Sequence, residues 1–130
     1  MLRSWTQPAV LVVLAAVAAS ASAQSYPARP VRLLVPFGPG GVGDITARVV
    51  AQKIGASLGQ QIVVDNRPGA GGIVASEIVA KAAPDGYTLL LLNNAHAVSM
   101  SLFKSLPYDT LRDFAPISSI STFSIVLLVN

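Results

Sequence analysis

The 130-residue sequence predicts an α/β fold with a parallel β-α-β-α-β core. Three observations predict it. Short apolar, β-prone runs at residues 31–37, 61–66 and 88–92 alternate with stretches whose apolar residues recur at helical spacing. The first two runs each lead into a glycine-rich loop that opens a helix. Strands separated by helices must pair in parallel, because the helix is the crossover that returns the chain to the same sheet edge.

The chain opens with Arg3, then an unbroken apolar run, AVLVVLAAVAA at residues 9–19, then Ala21-Ser22-Ala23. A bilayer span needs roughly 20 apolar residues. A basic start, a shorter apolar stretch and an A-x-A pattern instead predict a secretory signal peptide over residues 1–23, cut after Ala23. Residues 24–130, 107 in number, then suffice for one small domain. Such a domain buries roughly two-thirds of its unfolded surface. There is no cysteine, so neither a disulfide nor thiol chemistry is available. Without Arg3, eight Lys and Arg face six acidic residues, a net charge of +2. The basic residues are scattered, which gives no support for nucleic-acid binding. No later apolar stretch reaches membrane-spanning length, and the processed chain is expected to be soluble.

Residues 24–30 form a polar, proline-containing lead-in. Residues 31–37 then read as a strand buried on both faces. From Asp44 the period changes: Ala47, Val50, Ala51, Ile54 and Leu58 make one apolar stripe, with Arg48, Gln52 and Lys53 opposite. This predicts an amphipathic helix ending near Gly59. Residues 61–66 read as the second strand. Ala75, Ile78, Val79 and Ala82 stripe a second helix, on which Glu77 and Lys81 are ordered for an i, i+4 ion pair. The APDGY stretch at residues 83–87 predicts a stop and turn, and residues 88–92 a third buried strand. Residues 93–114 have mixed helical-turn and loop character. Residues 123–129 read as a further strand, which would invite aggregation if left at an open edge.

The loops carry the functional signal. In VPFGPGGVGD, at residues 35–44, Gly38, Gly40 and Gly43 satisfy G-x-G-x-x-G, and Asp65 follows twenty-two positions after Gly43. That is the spacing of a dinucleotide fingerprint. The context argues against it. Pro36 interrupts the strand before the loop, and Pro39 removes a backbone donor inside it. Asp65 is followed at once by Asn66 and Arg67, which suits local ion pairing. The second loop, NRPGAGG, is at least as glycine-rich as the first. A shift of thirty-one positions places Gly38-Pro39-Gly40-Gly41-Val42 on Gly69-Ala70-Gly71-Gly72-Ile73. Parallel strands end at one sheet edge, so both loops and both helix amino termini would face one crevice. Helix amino termini attract anions, and glycine lets a ligand approach the backbone. The paired loops point to one compact anion. Asp44 either caps its helix or contacts that ligand. His96, the single histidine, is a polar wall residue rather than a catalyst, and no metal-ligand spacing is present.

With these residues placed, three segments resemble the extracytoplasmic solute-binding receptors of tripartite tricarboxylate transporters, the Bug family: YPARPVRLLVPFGPGGVGDITARVVAQKI, NRPGAGGIVASEIVAKAAPDGYTLLL and LPYDTLRDFAPIS. The likeness covers residues 26–130. It implies a periplasmic binding protein-like (type II) architecture of two lobes around a cleft. It also implies binding rather than catalysis: a small carboxylate ligand, no cofactor, and membrane permease subunits as partners. The ligand-binding residues it implies are Phe37, Gly38, Pro39, Gly40 and Gly41 with Asp44 beside them, then Gly69, Ala70, Gly71 and Gly72, and a third wall of Asn94, Ala95 and His96. The third wall departs from the family's T-H-A-x-N-P and lacks its threonine. Family members are also more than twice as long. Residues 24–125 are therefore expected to form a partial lobe one, incomplete at its carboxyl end, and residues 126–130 to begin the crossover toward lobe two. The alternatives are an NAD(P)-binding oxidoreductase domain and a truncated product without function.

Overall fold

A computed structural model describes residues 25–122. The predicted signal peptide, the strand at residues 123–129 and the crossover at residues 126–130 lie outside the described residues. The order of elements is β1 (Val31–Val35), α1 (Val42–Leu58), β2 (Ile62–Asn66), a 3-10 turn (Ala70–Gly72), α2 (Ile73–Ala80), β3 (Thr88–Leu90) and α3 (Asn94–Leu102). The strands form one parallel sheet in the order β2-β1-β3, with Leu33 opposite Val64 on one side and Leu89 on the other. The predicted β-α-β-α-β core is present.

Central β1 is the most buried element because it has a neighbour on each edge and a helix on each face. Leu33 and Val35 point to the face covered by α1, where they pack with Ala47 and the half-buried Ile62, Val64, Leu89 and Leu91. Leu34 points the other way and is fully buried where α2 lies against β1 and β3. The strand stops at Val35, two residues before the predicted end, because Pro36 cannot donate to a ladder. β3 is also shorter than predicted. Its ladder continues by one bond, Leu91 N to Leu34 O at 2.9 Å, before the chain turns toward Asn93.

Helix α1 begins two residues before Asp44 and ends where predicted, with Gly59 left-handed at φ 67° as its carboxyl cap. Its stripe is buried only in its first half. Ala47 and Ala51 lie in the core, whereas Ile54 and Leu58 remain 44% and 42% exposed. In α2 the predicted Glu77–Lys81 pair forms at 2.5 Å, but the helix ends at Ala80, which leaves Ala82 outside it. The stretch read as mixed turn and loop contains the regular helix α3.

The lead-in is tied to the APDGY turn. Tyr26 Oη donates to Gly86 O at 2.7 Å, and Tyr87 Oη accepts from Ala28 N at 2.8 Å. Arg29 pairs with Asp85 at 2.9 Å, its guanidinium 4.2 Å from the centroid of the Tyr87 ring. These contacts fasten the chain just before β1 to the turn just before β3.

Candidate functional site

All three parallel strands release the chain at the same edge, so the loops at residues 36–41, 67–72 and 91–93 gather there. The order β2-β1-β3 places the reversal of strand order between β1 and β3, the position where open α/β sheets form a crevice.

The first loop is held from below. Gly40 takes a left-handed φ of 82°, and Gly41 is the amino-terminal cap of α1 with no side chain to offer. Asp44, in the first turn, reaches back and accepts from Gly40 N at 2.9 Å. It also accepts from Arg48 Nε at 3.0 Å and Asn66 Nδ2 at 2.9 Å. The bond from Arg48 and those from Gly40 and Asn66 hold this buried carboxyl far below the ordinary carboxylate range. Asn66 Nδ2 donates in addition to Phe37 O at 3.0 Å. The loop is thus pinned at Phe37 and at Gly40, and Asp44 is fully engaged in pinning it. Gly43 completes the G-x-G-x-x-G spacing for a local reason: the Phe37 ring lies so close that any β-carbon there would collide with it.

The second loop continues the ladder through Arg67 N to Val35 O at 2.8 Å. Asp65, the residue that a dinucleotide would need, accepts from Arg32 Nε at 2.8 Å and Arg67 Nε at 3.0 Å. The guanidinium of Arg32, then that of Arg67, lowers its pKa against the cost of burial. The chain next runs through consecutive positive φ values: 143° at Gly69, 44° at Ala70, 65° at Gly71 and 100° at Gly72. Three are glycines. Ala70 stores a left-handed penalty of about 1 kcal/mol, and such strain concentrates at functional loops. Sequence echo and conformation agree at Gly40 and Gly71, both left-handed, and part at the next residue, because Gly41 is at φ −78°.

The third loop is built differently. Asn93 Oδ1 accepts from Ala95 N at 3.1 Å, Asn93 O from His96 N at 3.1 Å, and His96 Nδ1 from Asn93 N at 3.2 Å. This is a closed capping box in which histidine takes the place usually held by Glu or Gln. Neither α1 nor α2 has a side-chain cap. The first-turn N–H groups of α1 lack intrahelical acceptors, whereas at α2 Gly72 N and Ile73 N already donate to Gly69 O and Ala70 O in the 3-10 turn; the glycines beside both leave the approach open. Helix α3 spends its first amides on itself.

The predicted residues occupy two layers. Gly38, Pro39, Gly40, Gly41, Gly69, Ala70, Gly71 and Asn94 are exposed at the rim, with Phe37 and Ala95 half-buried. Asp44, Gly72 and His96 are buried beneath them. His96, Gly72 and Pro36 meet: a β-carbon on Gly72 would lie 2.7 Å from His96 Nε2 and 3.3 Å from Pro36 Cβ. Burial lowers the His96 pKa from its ordinary 6.5, so the ring is neutral at pH 7. Sequence reasoning missed Asn66, Arg48 and Asn93. Asn93 was legible as a polar cap before a helix, whereas nothing in spacing links Asn66 to Asp44.

The family model for the tripartite tricarboxylate transporter family receptor (TctC) matches residues 46–130. Protein BugT of Bordetella pertussis is 46% identical over 123 residues, covering 93% of this chain and 38% of BugT. The solved structure of periplasmic binding protein BugD is 42% identical with a TM-score of 0.68, covering 71% of this chain and 31% of that one. MatC from Rhodopseudomonas palustris, solved with bound malate, is 41% identical with a TM-score of 0.66, covering 70% and 31%. The chain therefore spans about a third of the length of these relatives. Because the family is one of solute-binding receptors and not of enzymes, the NAD(P)-dependent oxidoreductase alternative falls. By the family match and these identities, the chain belongs to the tripartite tricarboxylate transporter receptors, with the α/β fold of the periplasmic binding proteins.

Proposed function

We propose that this chain captures a small carboxylate at the rim formed by its first two glycine-rich loops. The observation that carries this reading is the contrast in capping. Helices α1 and α2 start at glycines with no side-chain acceptor, while α3 beside them has a closed box. Two uncapped amino termini at one edge supply neutral, fold-directed donors, which suit an anion that must be released again. Malate, the ligand bound in MatC, is a carboxylate of suitable class.

Gly38, Pro39, Gly40, Gly41, Gly69, Ala70 and Gly71 form the contact layer in this reading, with Phe37 at the mouth and Asn94 and Ala95 as the third wall. Asp44 serves from below. An ionised carboxylate in direct contact would repel the ligand, whereas one bonded to Gly40 N shapes the loop that receives it. The whole receptor is exported through the signal peptide cut after Ala23, works in the periplasm and hands its ligand to permease subunits.

The experiment is an amide-resolved NMR titration of the isotope-labelled chain with malate at millimolar concentration. The expected result is shifts at residues 38–41 and 69–71, with succinamide, the uncharged analogue, silent. Shifts scattered away from both loops, or none, would reject the site.

A further inference from the structure

We infer that His96 is a positioning residue: from the first turn of α3, its imidazole wedges the second glycine loop against the first. This role rests on the carboxylate reading above for its purpose, though not for its geometry.

Three observations carry it. His96 is 2% exposed, so its ring has no face at the rim where a ligand would sit. Its orientation is set from one side, with Nδ1 accepting from Asn93 N and lying 2.7 Å from Asn93 Oδ1. The opposite edge of the ring is pressed on Gly72, where a β-carbon would lie 2.7 Å from Nε2 and 2.8 Å from Cε1, with Pro36 Cβ 3.3 Å away. Nε2 has no hydrogen-bond partner among the described residues. The ring also has the Gly72 backbone as a polar neighbour that opposes the lowering of its pKa, so the contact joins close packing to a polar approach that falls short of hydrogen-bond geometry.

The consequence follows from the backbone. Gly72 is the cap of α2 and stands at φ 100°, the last of four consecutive positive-φ residues. Such a run is poorly determined by local preference, since glycine has many alternatives. Something outside the loop must select one of them. The imidazole does so by filling the volume that Gly72 would otherwise move into, while Pro36 closes the other side. The third wall thereby sets the direction in which the amino terminus of α2 is presented.

Two substitutions separate the ring from the cap. Glutamine at the third helix position serves a capping box but brings no ring. Phenylalanine keeps a ring and loses Nδ1. The test compares His96→Gln, His96→Phe and the unaltered chain by thermal melting, by amide NMR without ligand, and by malate titration. His96→Gln is expected to keep its melting temperature, shift the Gly69, Gly71 and Gly72 amides in the free protein, and weaken malate binding about tenfold, as when an orienting partner behind a metal ligand is lost. His96→Phe is expected to melt earlier while keeping the loop amides and the affinity. The opposite pattern, with glutamine silent in loop and affinity or phenylalanine losing both, would overturn the role. If the unaltered chain shows no malate response, the carboxylate reading fails, and the ligand-free loop amides still decide the position of Gly72.

Discussion

Asn66 is the side chain on which the first loop depends most directly, and its truncation yields a number. Its Nδ2 donates to Phe37 O at 3.0 Å and to Asp44 Oδ1 at 2.9 Å, and its Oδ1 accepts from Arg48 Nη2 at 3.1 Å. The first two bonds are partly buried and the third is exposed. At about 1 kcal/mol net for each partly buried bond, with little from the third, Asn66→Ala is expected to cost about 2 kcal/mol. The amount stays near this value because water reaches a half-buried site and relieves part of the desolvation. The assay is urea unfolding followed by far-UV circular dichroism, where the midpoint should fall at unchanged slope. Asn66→Asp is the sharper companion. It preserves the shape but sets a second carboxylate against Asp44, so it should be the less stable of the two at pH 7 and recover as acid protonates the pair. A loss below about 0.5 kcal/mol for Asn66→Ala, the level of an ordinary surface change, would refute the claim that this amide holds the loop. So would an Asn66→Asp variant as stable as the parent at neutral pH.

The pH dependence has two windows. His96 is a base with a lowered pKa, so the unfolded chain binds more protons below 6.5 and stability should fall as pH drops from there through the folded value. Asp44 and Asp65 are acids with lowered pKa values. Their stabilisation is present above the ordinary 3.8 and lost as pH falls below it. Asp44→Asn should flatten the acid window in a stability–pH profile, and a profile unchanged by that substitution would contradict the assignment. Gly43→Ala should displace the Phe37 ring and cost about 1–3 kcal/mol, as overpacking does. Phe37→Leu in the same chain should restore part of that loss, and strict additivity of the two in denaturation would exclude the contact. Leu34→Ala, in the most buried part of β1, should cost about 2–5 kcal/mol in the same assay, and a cost near zero would mean that α2 does not cover that face.

Much of the fold was legible because burial leaves periodic marks. A strand flanked on both sides must be mostly apolar, and β1 reads that way except at Arg32, which pairs with Asp65. A helix against a sheet must carry a stripe, and α1 does through Ala47 and Ala51. The misplaced boundaries have local causes. Pro36 truncates the ladder of β1, and β3 gives up its last residues to reach the cap at Asn93. The stripe of α1 extends to Ile54 and Leu58, yet both stay exposed, because periodicity records which side of a helix is apolar and not how far its cover reaches. Helix α3 was missed as a regular element because its interspersed apolar and polar residues carry no clear stripe, and its start is marked by an unusual box with histidine in the acceptor's place.

By itself the sequence determined the βαβ order, the paired glycine loops and the family, since these depend on residue types at fixed local spacing. Tertiary structure alone decided which of the residues near these loops stay exposed at that edge and which are buried beneath it. Asp44 and His96 stand in the first turns of α1 and α3, close in sequence to the exposed rim residues, yet one is bound from beneath by Asn66 and the other is closed over by Gly72. These contacts join residues far apart in the chain, brought together only when parallel strands release their loops at one edge. The physical reason is that hydrogen-bond satisfaction and close packing are pairwise properties of the folded chain, and no spacing along it encodes them.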